Sequence, residues 1–154
     1  LIAGDGPLRP ALEQLAAGLG ARVRFLGEVR GPARRRLLHG CDALALPSRV
    51  LADGRTESAP VVLLEALAAG LPIVAAAVGG VGELLGDAGL LVPPDAPAAL
   101  TWALRQVLLT PGVAATYAAR ARERAAGFDW AVIAPRLLGQ PLGCPAELPP
   151  PRQA

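Results

Sequence analysis

Glu57 and Glu65 stand in an E-x7-E arrangement within Arg55-Thr56-Glu57-Ser58-Ala59-Pro60-Val61-Val62-Leu63-Leu64-Glu65, and the residues after Ala59 are otherwise apolar. A lone carboxylate in an apolar helix must be paired, hydrogen-bonded or exposed at a ligand pocket, because burying a bare charge is too costly. Pro60 suits the first turn of a helix, where a missing N–H does no harm, and Ser58 fits the N-cap. The backbone amides of Ser58, Ala59 and Val61, with the positive end of a helix dipole behind them, form a ready anion site. Glu57 and Glu65 could therefore bracket one elongated ligand, with its anionic group at the helix start. The plainer alternative is that Glu57 favours the dipole and Glu65 pairs with a buried Arg. Spacing alone leaves both open.

These residues need a frame, and the apolar pattern supplies one. Strands are expected over residues 1–4, 22–26, 43–46, 72–76 and 90–92, mostly continuous apolar runs without in–out alternation. Strands read this way when helices cover both faces of a parallel sheet. Helices are expected over 8–19, 32–38, 60–69 and 81–85, so strand and helix alternate as in a doubly wound, Rossmann-like α/β domain. Such folds take ligands at the carboxyl edge of the sheet, where the 60–69 helix begins. After Val92 the pattern turns helical. Asp95 can cap a helix ending at Leu109, residues 113–126 form another, and Asp129 can cap a third over 130–138. We divide the chain into a domain over 1–139 and a Pro-rich irregular tail over 140–154.

Composition excludes several classes. The formal charge of +2 is too small to argue for nucleic acid, and Arg34 to Arg36 read as a solvated helix face, as do Arg120, Arg122 and Arg124. Cys41 and Cys144 lack CxxC spacing and have only His39 for company, so no metal site is expected and the setting is reduced and cytoplasmic. Residues 60–82 are long enough to cross a bilayer, but Glu65, Pro72 and the glycines at 79, 80 and 82 argue for a buried helix and strand instead. Gly79 to Gly82 reads equally as a tight turn or as an approach to a phosphate. The sequence holds no Met and opens on Leu1-Ile2-Ala3-Gly4, which reads as the middle of a domain and hence a fragment.

The E-x7-E pair, its continuation Glu65-Ala66-Leu67-Ala68-Ala69-Gly70-Leu71-Pro72-Ile73-Val74-Ala75, and Gly79-Gly80-Val81-Gly82-Glu83-Leu84 are similar to the signature of family 4 of the retaining glycosyltransferases. The flanks agree in order: Gly4-Asp5-Gly6-Pro7, Phe25-Leu26-Gly27, Cys41-Asp42-Ala43 running to Pro47-Ser48, Gly89-Leu90-Leu91-Val92-Pro93, and Phe128-Asp129-Trp130. The chain thus resembles the nucleotide-sugar-binding, C-terminal half of a GT-B enzyme.

That resemblance implies roles. Glu57 would hydrogen-bond hydroxyls of the transferred sugar and act in catalysis, and Glu65 would hold the ribose hydroxyls. The stretch Ser58, Ala59, Pro60 and Val61 would meet the sugar and diphosphate, through the backbone amides of its residues other than Pro60, with Val29 and Arg30 near the base. No metal or other cofactor is implied. The partners would be a nucleotide-sugar donor and an acceptor domain of the same parent chain. A strand, a helix and a basic pair that normally precede residues 1–4 in that family are absent here, so the fragment alone should turn over poorly. The parent would build polysaccharide or glycoconjugate in the cytoplasm, with the inner membrane face as a further setting. Two rival functions share the fold: an epimerase or phosphorylase, and a non-catalytic binding module.

Overall fold

The computed structural model describes residues 1–139, and the expected tail over 140–154 lies outside them. In chain order the elements are β1 (Ile2–Ala3), α1 (Arg9–Ala16), a 3-10 stretch (Ala17–Arg22), β2 (Phe25–Gly27), α2 (Gly31–His39), β3 (Leu44–Leu46) and α3 (Val61–Ala69). There follow β4 (Ile73–Ala76), α4 (Val81–Leu85), β5 (Leu90–Val92), α5 (Pro97–Leu109), α6 (Val113–Ala126) and α7 (Trp130–Leu138). All strand pairs are parallel. They form two sheets, β1-β2 and β3-β4-β5, where one continuous sheet was expected.

The alternation of helix and strand explains the apolar runs. β4 is buried at every position. Its Ile73 and Ala75 pack with Leu63, Leu67 and Leu85, whereas Val74 joins Val92, Ala103 and Val107 in a separate cluster. Successive strand side chains point to opposite faces, so a strand with helices on both faces must be apolar throughout. The span of residues 60–82 is accordingly a buried helix and strand. Among the described residues no helix is long and apolar enough to cross a membrane.

Helix ends departed from expectation for local reasons. The α-helix starting at Arg9 stops at Ala16, not Leu19, since Gly18 and Gly20 weaken it and Gly20 turns out of helical geometry at φ 55°. Arg22 belongs to that tight stretch, which delays β2 to Phe25. The N-cap of α3 is Pro60, with no side-chain cap, so Ser58 does not cap it. Asp95 does not cap α5 either. It pairs with Arg49 at 2.5 Å, and Ala96 holds the N-cap. Asp129 does cap α7, accepting from the Ala131 amide at 2.7 Å. Gly70 closes α3 in the left-handed region, donating to the carbonyls of Ala66 and Leu67.

The arginines of α6 are not a plain solvated face. Arg124 donates to the carbonyls of Leu84 (3.0 Å) and Glu83, satisfying the end of α4, and stacks on Phe128 at 5.2 Å. Arg120 donates to the Asp87 carbonyl at 3.3 Å, and Arg122 lies against Gly70.

Candidate donor-binding site

Among the connections that leave the carboxyl ends of the parallel strands are 28–30 after β2, 47–60 after β3 and 77–80 after β4. Each opens into a helix, α2, α3 or α4. This is the edge at which open α/β sheets take ligands.

The 77–80 turn seats the loop before α3. The Gly80 amide donates to the Glu57 carbonyl at 3.3 Å. A Cβ on Gly79 would overlap that same oxygen, and one on Gly80 would overlap the Ser58 carbonyl oxygen. The tight-turn reading of these glycines holds, and what comes close is the backbone of Glu57 and Ser58. The far side of the loop is tied by the Arg49–Asp95 pair.

Glu65 lies one turn into α3 and faces α2. Its Oε1 accepts from Arg34 Nη2 at 2.5 Å, and its Oε2 is buried with no hydrogen-bond partner. Both side chains border water, with 41% of Arg34 and 31% of Glu65 exposed. They line a cleft of about 470 Å³ between α2 and α3, together with Gly31, Pro32, Arg35 and His39. Arg34 therefore leaves the solvated face assigned to it, since α2 and α3 pack side by side. Thirty-one positions separate the pair, and no local sequence pattern announces it.

The other expected site residues fall around this cleft without lining it. Glu57, Ser58, Ala59 and Val61 are exposed, and Pro60 is buried at the head of α3. Val29 is half-buried, and Arg30 is exposed and paired with Glu28 at 2.5 Å, just before the cleft residue Gly31. Glu57 and Glu65 were expected in one cleft; Glu65 lines it and Glu57 does not. His39 ends α2, where a helix dipole favours it. Among the described residues there is no cluster of acidic, His or Cys side chains able to hold a metal. A carboxylate with one oxygen held by a guanidinium keeps lone pairs that can accept from further hydroxyl donors.

Residues 1–110 match the family model described as glycosyl transferases group 1. The phosphatidyl-myo-inositol mannosyltransferase of Mycolicibacterium smegmatis is 34% identical over 140 residues, covering 90% of this chain and 35% of that protein. Among solved structures, sucrose-phosphate synthase from Thermosynechococcus elongatus superposes with a TM-score of 0.75 at 31% identity, over 90% of this chain and 36% of that one. Anabaena HepE in complex with UDP-glucose gives 0.72 at 27% identity, over 89% and 38%. The chain thus spans about a third of the length of the relatives it matches. The fold is the Rossmann-like α/β fold of GT-B glycosyltransferases, and the chain belongs to the group 1 glycosyl transferases.

Proposed function

We propose that this chain is the donor-binding part of a glycosyltransferase that moves a sugar from a nucleotide donor to an acceptor with retention of configuration. The observation that carries the reading is Glu65 lining the cleft beside α2, its Oε1 held by Arg34 and its Oε2 without a hydrogen-bond partner. A ribose offers adjacent hydroxyl donors, and an ionised carboxylate accepts from both more strongly than a neutral group can. The complex of the Anabaena relative with UDP-glucose supports a nucleotide sugar as the ligand.

In this reading Arg34 holds Glu65 Oε1, Glu57 orients the transferred sugar, and the amides from Ser58 to Val61 meet the diphosphate at the α3 dipole. Val29 and Arg30 lie near the base. The reaction asks for no bound metal. A diphosphate leaving group needs cationic or dipolar stabilisation, and the head of α3 alone supplies little. The isolated chain should therefore bind donor but turn it over very slowly. The longer enzyme would work in the cytoplasm or at the inner membrane face, in polysaccharide or glycoconjugate synthesis.

The test is calorimetric titration of UDP and UDP-glucose into the chain and its Glu65→Gln variant, beside initial rates of the longer enzyme. Glu65→Gln should lose about 1.5–3 kcal/mol of donor binding, the scale of hydrogen bonds to a charged group. Glu57→Gln should lower turnover more than affinity, because it positions the reacting sugar. Unchanged binding by Glu65→Gln would remove the ribose assignment.

A further inference from the structure

We infer that Asp95 is a positioning residue for Glu57, acting through Arg49 across the carboxyl edge of the sheet. β3 and β5 stand on either side of β4, so their ends lie about 10 Å apart, twice the usual strand spacing. Arg49, in the connection after β3, and Asp95, in the one after β5, close that distance with an ion pair from Nε to Oδ1 at 2.5 Å. Among the described residues Asp95 is the only non-glycine at a positive φ, 53°. That conformation is unfavourable for an L residue, though less so for Asp. Helix capping does not explain it, because Ala96 holds the N-cap of α5 without a side-chain bond. What the strained backbone serves is the contact with Arg49.

The pair matters to Glu57 because little else holds the loop. Residues 49–59 are all exposed, Val50 and Leu51 included, so no buried packing fixes them. Within the loop the Leu51 amide donates to the Arg55 carbonyl at 2.8 Å, and the Gly54 amide to the Leu51 carbonyl at 2.9 Å. The Arg55 guanidinium also meets Asp53 at 2.7 Å. Residues 51–55 therefore move as one closed turn, with Arg49 just before it and Glu57 just after. A shift of Arg49 is carried around that turn to Glu57. On its other side Glu57 is held by the Gly80 amide, through its own carbonyl.

The ion pair is suited to setting a position and poorly suited to holding the fold. Its side chains are 70% and 54% exposed, where such pairs add little stability and are screened by salt. The pair borders a cavity of about 180 Å³ whose lining includes Pro47, Ala76, Val92 and Leu100, so the arm of the loop has room to swing when the pair opens. With the pair closed, Glu57 samples fewer orientations, which matters for a group that orients a reacting sugar. The effect on the loop follows from geometry alone, whereas the effect on transfer rests on the donor reading.

The test reads amide hydrogen exchange of Gly80, whose bond to Glu57 reports the seating of the loop. Arg49→Gln, Asp95→Asn and the double variant are compared with the parent chain, asparagine being chosen because it also tolerates a left-handed backbone. Each single variant should speed Gly80 exchange about fivefold or more, and the double variant no further, since both remove one contact. The amides of Gly70 and Gly86, bonded to the ends of α3 and α4, should not change, nor should the midpoint of thermal unfolding. In the longer enzyme Asp95→Asn should lower kcat about threefold or more and leave the donor KM unchanged. Unchanged Gly80 exchange, additive effects of the two substitutions, or a fall in midpoint with faster Gly70 and Gly86 would overturn the inference. So would an unchanged kcat. If the longer enzyme moved no sugar at all, the donor reading would fail, and Gly80 exchange would still decide whether Asp95 seats the loop.

Discussion

Gly80 donates its amide to the carbonyl of Glu57 at 3.3 Å, a bond that joins the turn after β4 to the loop before α3. Glu57 is thus placed through its backbone by a residue twenty-three positions away, and its side chain is left free at the surface.

Three glycine variants separate the causes of that fit. Gly112 is left-handed (φ 81°) in open space, Gly80 is closely approached without a positive φ, and Gly79 is both left-handed (φ 49°) and closely approached. Gly112→Ala should cost about 1–2 kcal/mol from backbone strain alone. Gly79→Ala should cost more than either Gly112→Ala or Gly80→Ala in urea unfolding. Equal losses for all three would mean the Glu57 loop moves aside freely.

Glu65 should prove dispensable for stability. Its pair with Arg34 borders water, so pairing contributes at most about 1 kcal/mol, and its Oε2 is buried unsatisfied. Glu65→Leu should therefore leave the midpoint of thermal unfolding unchanged or raised. A marked fall would favour a structural role for the pair.

Arg124→Ala should destabilise by about 1–3 kcal/mol, because the carbonyls of Leu84 and Glu83 lose a charged donor and Phe128 loses its cation. Lysine should rescue only in part, since a single ammonium does not reproduce the guanidinium fork. Urea midpoints of the two variants against the parent chain decide this, and full rescue by lysine would contradict the forked contact.

Asp53 should titrate below the ordinary carboxylate value. The Arg55 backbone amide, then the Arg55 guanidinium, hold its ionised form. A depressed native pKa means the contribution is present above the unfolded value and lost as pH falls through the native one. Loop closure between Leu51 and Arg55 should thus persist at neutral pH and weaken only in strong acid. In an NMR titration Arg55→Ala should raise the Asp53 midpoint partway, since the residue 55 amide still donates. A full return to the ordinary value would deny the backbone bond its part.

Much of this molecule was legible in its residue order because the causes are local. Continuous apolar runs marked β3, β4 and β5 to within a residue or so, and in β4 the cause is burial at every position between two helix layers. Pro60 and Gly70 bracket α3 through their own backbone preferences, and Asp129 caps α7 two residues away. The order of motifs around Glu57 and Glu65 identified the family that the family model and relatives establish.

What remained hidden depends on contacts between segments far apart in the chain. Arg34 reads as a surface cation until α2 lies against α3 and delivers it to Glu65 thirty-one positions on. Arg124 reads likewise until α6 crosses the end of α4. Asp95 has the residue type of a cap, yet Arg49 draws it away with a nearby charge. The split into β2-β1 and β3-β4-β5 has no local signature, because strand order is set by which edges meet in space. Backbone propensity and burial pattern are written residue by residue, whereas long-range pairing exists only once the chain has closed on itself.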